Sequence, residues 1–404
     1  MRRALLPPLL VVGMALTALT GCAGSGATTA PAGGTRALVA PSTSTPAPPA
    51  APPAPDPTGR PSPPPSSPVA AASARAGAPA AARRPLPQPL PEPNRVAPAP
   101  SPAAASVGGA PALWPGDFPD PFVILVRGPA GAGSLYYAYA TQAGTTEVQT
   151  IRSPDLAHWE WVGEALPRLP SWAVYGYLWG PSVLARSAGY VLYYATRQAA
   201  TGRQCISLAV SLLPQGPFVD TSDGPFICQL DRGGSIDPSP FVDDDGTPWL
   251  VWKSEGTLAG EPTRIWAQRL SADGRGLEGQ PTELAHTDQG WERPIVEGPT
   301  MARVGGRYVL FYAANRWETP GYAVGYALCA TPAGPCRKPL GGPVMTTSGR
   351  EAGPGGPSAF VDSGGALRLA YHAWTAGQVG YPGGARRLHL ANVSLAGDVA
   401  TLRE

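Results

Sequence analysis

The feature that most constrains the fold is a pattern that occurs five times after residue 119. Each copy has an aspartate or a glycine followed by proline, then an apolar segment, a turn and a second apolar segment, often rich in aromatic residues. The five prolines are spaced 60, 57, 61 and 58 residues apart. They are Pro121, Pro181, Pro238, Pro299 and Pro357. Repeats of this length, each with several short strands, are typical of β-propellers.

The third copy, residues 234–254, shows the repeating unit most clearly. The turn dipeptide Asp245-Gly246 separates two apolar runs, residues 240–242 and 249–252, as expected of a β-hairpin. A third strand-like segment follows the hairpin in each copy, with room for a fourth. The sequence therefore predicts an all-β fold, a five-bladed β-propeller with four antiparallel strands per blade.

The first 22 residues are organised like a bacterial lipoprotein signal peptide. Two arginines precede an apolar run, residues 5–19, and the tetrapeptide Leu-Thr-Gly-Cys that ends at Cys22 resembles a lipobox. The run is short for a membrane span and contains Pro7 and Pro8. Cleavage before Cys22 and acylation of its thiol would hold an exported protein on the outer face of the bacterial cell membrane. We therefore expect membrane contact only through this lipid anchor.

Residues 23–112 are rich in Ala, Pro, Ser, Thr and Gly, with almost no aromatic residues. Such a segment has too little apolar bulk to offset the entropy of ordering it, so it predicts a disordered tether. The remaining segment, residues 113–404, is long enough for one core. The net charge of +2, with no basic runs among the aromatic residues, predicts no nucleic-acid partner. We expect the domain to be monomeric.

Four cysteines remain in the predicted domain once Cys22 is set aside. An even number in an exported protein indicates two disulfides, for which three connectivities exist. We favour Cys205 with Cys228 and Cys329 with Cys336, because each pair lies within one repeat. Metal ligation by these cysteines is disfavoured, since none has C-x-x-C spacing and no histidine is close in sequence.

Four segments carry a resemblance to a known family. They are FPDPFVI, SPDLAHW, GSIDPSPFVDDDG and VEGPTMARVGGRYVLFY, in that order along the repeats. Together they resemble glycoside hydrolase family 43, five-bladed propeller enzymes that act on glycans containing arabinose and xylose. The resemblance covers about residue 114 to the C-terminus. It implies a glycosidase with a polysaccharide or oligosaccharide substrate.

The resemblance also implies roles for three acids at the starts of different repeats. Asp120 matches the family's general base, Asp237 the residue that raises the pKa of the acid and orients it, and Glu297 the general acid. Inverting cleavage needs one carboxylic acid to protonate the leaving oxygen and one carboxylate to deprotonate water. In one desolvated pocket, the negative charge of Asp237 would keep Glu297 protonated. Asp117 is the nearest competitor for the base, but proline does not follow it directly.

Several residues at the predicted mouth of the pocket are candidates for contacting the sugar. They are Trp179, Asn315, Arg316, Trp317 and Arg387. Trp179 ends an aromatic cluster just before the second repeat proline, and flat side chains of this kind stack on sugar rings; core packing is the alternative. For Arg387 and its neighbour Arg386, closure of the propeller ring is an equal alternative.

His372 is the candidate for a cation site. It lies at a position where the family often places a histidine toward the central channel, near a bound cation. The resemblance therefore implies a structural calcium in the channel, reached mainly through water, with a satisfied core histidine as the alternative. No cofactor is required for the chemistry itself.

The favoured function is an inverting glycoside hydrolase that cleaves arabinofuranosyl or xylosyl linkages in plant-type glycans such as arabinan or arabinoxylan, with an α-L-arabinofuranosidase or an arabinanase preferred. Two alternatives remain. A retaining sucrose- or fructan-cleaving propeller would need a W-x-N-D-P-N-like motif, and the residues around Asp120 lack its asparagine. A non-catalytic carbohydrate-binding propeller would tolerate loss of any of the three acids, yet all three are present.

Overall fold

The computed structural model describes residues 112–128 and 133–403. The predicted signal peptide with Cys22, and the predicted tether except for its last residue, lie outside the described residues. Strands dominate these two ranges, and their helices are single 3₁₀ turns at residues 230–232, 256–259 and 290–292. No helix in the same ranges is long and apolar enough to span a membrane.

The strands fall into five consecutive groups, here called blades 1 to 5. Blade 1 contains β1 (Phe122–Val126), β2 (Leu135–Ala140), β3 (Gln149–Ser153) and β4 (Glu160–Glu164). Blade 2 contains β5 (Ala173–Arg186), β6 (Gly189–Gln198) and β7 (Gln204–Ser211). Blade 3 contains β8 (Ser235–Val242), β9 (Pro248–Ser254), β10 (Arg264–Leu270) and β11 (Leu277–His286). Blade 4 contains β12 (Val296–Val304), β13 (Arg307–Ala314), β14 (Ala323–Cys329) and β15 (Cys336–Arg337). Blade 5 contains β16 (Glu351–Val361), β17 (Leu367–Thr375), β18 (Arg386–Ala396) and β19 (Val399–Arg403).

Each group forms one antiparallel sheet in which strands that are neighbours in sequence are also neighbours in space. The predicted five-bladed all-β propeller is therefore confirmed. Blades 1, 3, 4 and 5 have the expected four strands, whereas blade 2 has three within the described residues. Its outer segment pairs with β7 through isolated bridges at Val219 and Ile227 rather than through a ladder. Pro214 and Pro217 begin this segment and lack amide hydrogens, which disfavours a continuous strand there.

The residue before each repeat proline has a left-handed backbone. Its φ is +52° in blades 1 and 2, +54° in blades 3 and 4, and +56° in blade 5. The residues are Asp120, Gly180, Asp237, Gly298 and Gly356. The left-handed conformation costs an L-residue roughly 1–2 kcal/mol, and glycine avoids that cost. Aspartate at two of the five positions is therefore strained, which points to a function for its side chain.

The blades pack against one another through apolar faces. Between blades 1 and 2 the buried cluster includes Tyr139, Leu192 and Tyr194, and a similar cluster joins blades 3 and 4. Both predicted disulfides are present, Cys205–Cys228 and Cys329–Cys336, so the choice among the three connectivities is confirmed. The apolar faces between the blades form the core. The residues at the starts of the first strands are therefore available to form a site.

Candidate active site

Three acids come together where the first strands of blades 1, 3 and 4 begin. Asp120 lies two residues before β1, Asp237 lies in β8 and Glu297 in β12. The amide of Gly298, next to Glu297, donates a hydrogen bond to Asp237 Oδ2 at 2.9 Å. The negative charges of Glu297 and Asp120 both act on the Asp237 carboxyl. Acids from repeats that are far apart in sequence therefore share one site.

Asp120 is held by contacts that involve three blades. The Thr141 hydroxyl donates a hydrogen bond to Asp120 Oδ2 at 2.7 Å and itself accepts one from the Gly180 amide at 2.9 Å. From blade 5, the Arg386 guanidinium approaches Asp120 Oδ1 at 3.6 Å, and His372 Nδ1 accepts the Asp120 amide hydrogen at 3.0 Å. The side chain is still 27% exposed. Such a carboxylate is fixed in position yet accessible to water, as a general base must be.

Asp117, the competing candidate for the base, is bound differently. Tyr381 donates its hydroxyl hydrogen to the Asp117 carboxyl at 2.7 Å, and the Arg386 amide donates to the same group at 2.7 Å. Burial raises the pKa of Asp117, while Arg386 and Tyr381 act in the opposite direction. These bonds tie the N-terminal segment to blade 5, and the choice of Asp120 over Asp117 as the base stays a prediction.

Glu297 lies in a more enclosed environment than Asp120. Its side chain is 11% exposed. The Tyr322 hydroxyl donates a hydrogen bond to Oε1 at 2.9 Å, and the Lys253 ammonium donates to Oε2 at 2.9 Å. Lys253 also lies 3.0 Å from Glu255 Oε2. Because both of its oxygens accept hydrogen bonds, the orientation of this carboxyl is fixed.

The surroundings of Asp237 strongly favour the protonated form of its carboxyl. Burial, and then the negative charge of Glu297, raise the pKa of Asp237 to about 8, against the lowering effect of Lys253. Two carboxyls in one desolvated site resist double ionisation, so the Asp237–Glu297 pair holds a proton at neutral pH. That the negative charge of Asp237 keeps Glu297 protonated, as the sequence predicts, stays a prediction.

Polar residues of the second strands contact these acids from equivalent positions. Each of them lies opposite the residue that comes just before the left-handed residue of its blade. The pairs are Thr141 with Pro119, Lys253 with Ile236, and His372 with Gly355. In blades 2 and 4 this position is alanine, Ala195 and Ala313. Among these three residues only His372 was predicted from the sequence to be a site residue, and it lies in the second strand of its blade, β17. Aligning the second strands of the repeats would have identified Thr141 and Lys253 as well.

Two of the left-handed glycines allow close approach of the acids to neighbouring blades. A Cβ atom on Gly356 would lie 2.8 Å from Asp120 Oδ1 and 2.7 Å from His372 Nδ1. A Cβ atom on Gly180 would lie 3.1 Å from Asp237 Oδ1. Glycine at these positions therefore leaves room for the carboxylates, in addition to relaxing the backbone.

Comparison with known families identifies the domain. Residues 112–398 match the family described as Glycosyl hydrolases family 43. The chain belongs to this family. The match spans all five blades, so the family 43 domain and the propeller are the same part of the chain.

Individual relatives resemble the family 43 domain at moderate identity. A β-D-galactofuranosidase of Aspergillus niger is 29% identical over 241 residues, 55% of this chain and 64% of the relative. An extracellular endo-α-(1→5)-L-arabinanase of Thermotoga petrophila is 28% identical over 167 residues, 33% of each chain. The crystal structure of a thermostable family-43 glycoside hydrolase has a TM-score of 0.62 at 29% identity, covering 71% of this chain and 93% of that one. The chain thus spans less than two-thirds of the length of either sequence relative.

The residues predicted to contact sugar are distributed unevenly around the family 43 site. Trp179 is partly exposed and occupies the same blade position as Glu297, one residue before the left-handed glycine. Trp317 stacks on Trp374, and the Arg386 guanidinium lies 4.7 Å from the centroid of the Trp317 ring. Because Arg386 also reaches Asp120, Trp317 is connected to the acids.

The other sugar-contact candidates, Asn315, Arg316 and Arg387, have polar partners other than the three acids. Asn315 has a φ of +77°, and its side-chain oxygen accepts the amide hydrogen of Arg316. Arg316 is exposed and lies 3.5 Å from Glu318. Arg387 donates a hydrogen bond to the Pro115 carbonyl oxygen, which joins blade 5 to the N-terminal segment. Arg387 therefore takes part in ring closure, and Arg386 is the arginine beside Asp120.

His372 is fully buried, and its two ring nitrogens differ in environment. Nδ1 accepts the Asp120 amide hydrogen, so the proton of the neutral ring is on Nε2, for which no partner is found among the described residues. Burial lowers the pKa of His372 well below its usual value, and Arg386 and His389 act in the same direction. The described residues contain no group of three or more His, Cys, Asp or Glu side chains arranged to hold a metal ion. An Nε2 that carries a proton has no lone pair to offer a cation, so His372 in this tautomer is not a direct metal ligand.

Proposed function

We propose that this family 43 domain is an inverting glycoside hydrolase that cleaves arabinofuranosyl linkages. The observation that carries the proposal is the pairing of two carboxyls in one site with different surroundings. Asp120 is accessible and held by Thr141 and Arg386, whereas Glu297 is enclosed and belongs, with Asp237, to a pair of carboxyls that holds one proton. A base and an acid with separate environments are what inverting hydrolysis requires.

The proposed reaction is a single displacement at the anomeric carbon. Glu297 gives its proton to the glycosidic oxygen as the bond from that oxygen to the anomeric carbon breaks. Asp120 takes a proton from a water that attacks the opposite face of the sugar, and the water oxygen becomes the new anomeric hydroxyl. Asp237 holds the Gly298 amide, which orients the adjacent Glu297. A calcium held through water at His372 would supply positive charge to the channel, and no step passes through it.

The names of the relatives support a furanose as the substrate sugar. They include an arabinanase, xylosidase/arabinosidases, an arabinoxylan arabinofuranohydrolase and a galactofuranosidase. α-L-Arabinofuranose and β-D-galactofuranose have the same ring configuration and differ in the exocyclic carbon. We therefore propose α-L-arabinofuranosides as the preferred class, with xylosides and galactofuranosides as the alternatives to be tested.

A substrate panel with analysis of the product tests this proposal. The full chain is incubated with aryl α-L-arabinofuranoside, aryl β-D-xyloside, aryl β-D-galactofuranoside and linear arabinan. We expect release from arabinofuranosides at the highest kcat/KM, and NMR of the first-formed sugar should show inverted configuration. Retention of configuration would contradict the mechanism, and turnover of the xyloside or the galactofuranoside alone would contradict the choice of sugar.

Absence of any turnover, with tight binding of the same glycans, would instead support the non-catalytic carbohydrate-binding alternative. Asp120→Asn and Glu297→Gln chains serve as controls in the panel, because they retain the shape of the site. Equal binding by these variants and the natural chain would then be expected.

A further inference from the structure

Lys253 is a buried cation that the proposed reaction does not yet use. The residue is 1% exposed and lies in β9, at the second-strand position that faces the site. Its ammonium is 2.9 Å from Glu297 Oε2 and 3.0 Å from Glu255 Oε2. Glu255 lies just after β9, with 13% of its side chain exposed. A lysine in such a place is stable only because carboxylates compensate its charge.

The charges around Lys253 change during the proposed reaction. When Glu297 releases its proton, the electron pair of the O–H bond stays on the carboxylate, so a negative charge forms in an enclosed site. The Lys253 ammonium is already within hydrogen-bond distance of Glu297 Oε2 and needs no movement to stabilise this negative charge. Before the proton leaves, Glu255 compensates the ammonium. Burial lowers the pKa of Lys253, but Glu255 and Glu297 outweigh this effect, so the pKa is raised and the residue stays charged.

We propose that Lys253 is a positioning residue for the general acid, which stabilises the negative charge left on Glu297, and that Glu255 limits this stabilisation by sharing the ammonium. The proposal rests on the proposed hydrolase function. The other charged or titratable groups that face this pair are Asp237 from β8, Asp120 from the start of β1 and Tyr322 from the segment before β14. Each of them stays in place in the variants described next.

Two substitutions should move the pH dependence of kcat/KM in opposite directions. Glu255→Gln removes a negative charge near Glu297 and leaves the ammonium unshared, so ionisation of the acid becomes easier and the alkaline limb should move down by about one pH unit. Lys253→Met removes the positive charge, so the alkaline limb should move up by about one unit. Loss of the charge stabilisation should also lower kcat on linear arabinan by about 100-fold, with a much smaller loss on an aryl arabinofuranoside.

The control is Glu261→Gln, which removes an exposed carboxylate from the same loop, where Glu261 pairs with Arg232 at 3.4 Å. We expect this variant to keep the pH profile of the natural chain. Limbs that stay unchanged in Glu255→Gln, or that move in the same direction in both Lys253→Met and Glu255→Gln, would overturn the proposal. If Lys253→Met fails to fold, Glu255→Gln alone decides the outcome by the same criterion.

A direct titration separates this proposal from failure of the hydrolase function. The carboxyl carbon of Glu297 is followed by NMR in chain labelled with ¹³C-glutamate, with the signal assigned from Glu297→Gln. The midpoint should fall in Glu255→Gln and rise in Lys253→Met even if no substrate is turned over. An unchanged midpoint in both variants would refute the role of Lys253, and shifted midpoints in an inactive chain would refute only the hydrolase proposal.

Discussion

At the scale of the residue, the site is defined by how differently its carboxyls are surrounded. Asp120 and Asp237 both have the strained left-handed backbone and are both partly exposed, and the negative charges of Glu297 and Asp120 also act on Asp237. Glu297 has neither the strain nor the accessibility, and both of its oxygens accept hydrogen bonds. Carboxyls of similar intrinsic chemistry are therefore made different by their partners and their burial.

Substitution of the proposed base and acid should have effects that depend on the leaving group. Asp120→Asn should lower kcat/KM by about 100-fold or more on every substrate, because water must always be deprotonated. Glu297→Gln should be comparably harmful on linear arabinan but much milder on an aryl arabinofuranoside, whose leaving group needs little protonation. Steady-state kinetics of both variants on both substrates provide the measurement, with circular dichroism to verify folding. Equal losses on the two substrates for Glu297→Gln would remove it from the acid role.

The raised pKa of Asp237 also predicts a pH dependence of stability. The pKa rises from the usual 3.8 to about 8 on folding, so the folded protein favours the protonated form. The resulting stabilisation is fully present below the unfolded pKa and is lost as the pH rises toward the folded value. Asp237→Asn should therefore lose less free energy of unfolding between about pH 5 and about pH 8.5 than the natural chain, by on the order of a few kcal/mol.

Urea unfolding at the two pH values measures this difference. Asp245→Asn is the control, because the pKa of this exposed turn aspartate is lowered rather than raised and its effect belongs below pH 4. Equal pH dependence in Asp237→Asn and the natural chain would show that Asp237 is ionised throughout this range.

At the scale of the element, a left-handed residue and a proline mark the same point in every first strand. In blades 2 to 5 the ladder to the second strand is interrupted there. This interruption separates the part of the strand that builds the blade from the part that faces the site. The second strand then supplies its own contribution, Thr141 in blade 1, Lys253 in blade 3 and His372 in blade 5.

Gly356→Ala tests whether the glycine in blade 5 serves the site as well as the backbone. The added Cβ would lie 2.8 Å from Asp120 Oδ1, so we expect displacement of the base and a loss of turnover of about 100-fold. Gly305→Ala is a matched control, since its φ of +55° is close to the +56° of Gly356 and nothing lies within 4 Å of its added Cβ. Gly305→Ala should lose about 1 kcal/mol of stability from backbone strain, and Gly356→Ala should lose more, because its Cβ would also lie 2.7 Å from His372 Nδ1. Similar turnover in the two variants would show that Gly356 relaxes the backbone and does no more.

At the scale of the whole molecule, the propeller brings together residues from four blades at one site. Blade 1 supplies Asp120, blade 3 Asp237, blade 4 Glu297, and blade 5 Arg386 with His372. Hydrogen bonds of Asp117 and Arg387 join the N-terminal segment to blade 5 and close the ring beside this site. Ring closure and the positioning of Asp120 therefore both depend on residues of blade 5.

The proposed lipid anchor belongs to this scale, because it determines where the site meets its glycan. Cys22→Ser removes the thiol that acylation requires and should move the protein from the membrane fraction to the soluble or unprocessed fraction of a bacterial host. Ser25→Ala is the control and should fractionate as the natural chain does. Unchanged fractionation and processing of Cys22→Ser would contradict both the lipoprotein signal and the proposed location.

The five repeats, the two disulfides and the grouping of acids at the starts of the repeats were all predictable from the sequence. Each depends on local pattern or on even spacing, such as the prolines from Pro121 to Pro357 and the cysteine pairs that lie within single repeats. The number of strands in blade 2 was not predictable from the sequence. A segment becomes a strand only where it makes continuous hydrogen bonds with a neighbouring strand, and the segment after Pro214 makes only isolated bridges to β7.

The partners of the acids were decided only by the tertiary structure. Lys253, Thr141 and Arg386 carry no motif of their own, and Arg386 differs from Arg387 only by one step along a strand. Successive residues of a strand point to opposite faces, so this step separates a guanidinium beside Asp120 from one on the Pro115 carbonyl. The sequence by itself determined which residues begin each blade. Strand register and the packing of one blade on the next determined which charges meet there, because Coulomb interactions depend on distances that no linear spacing contains.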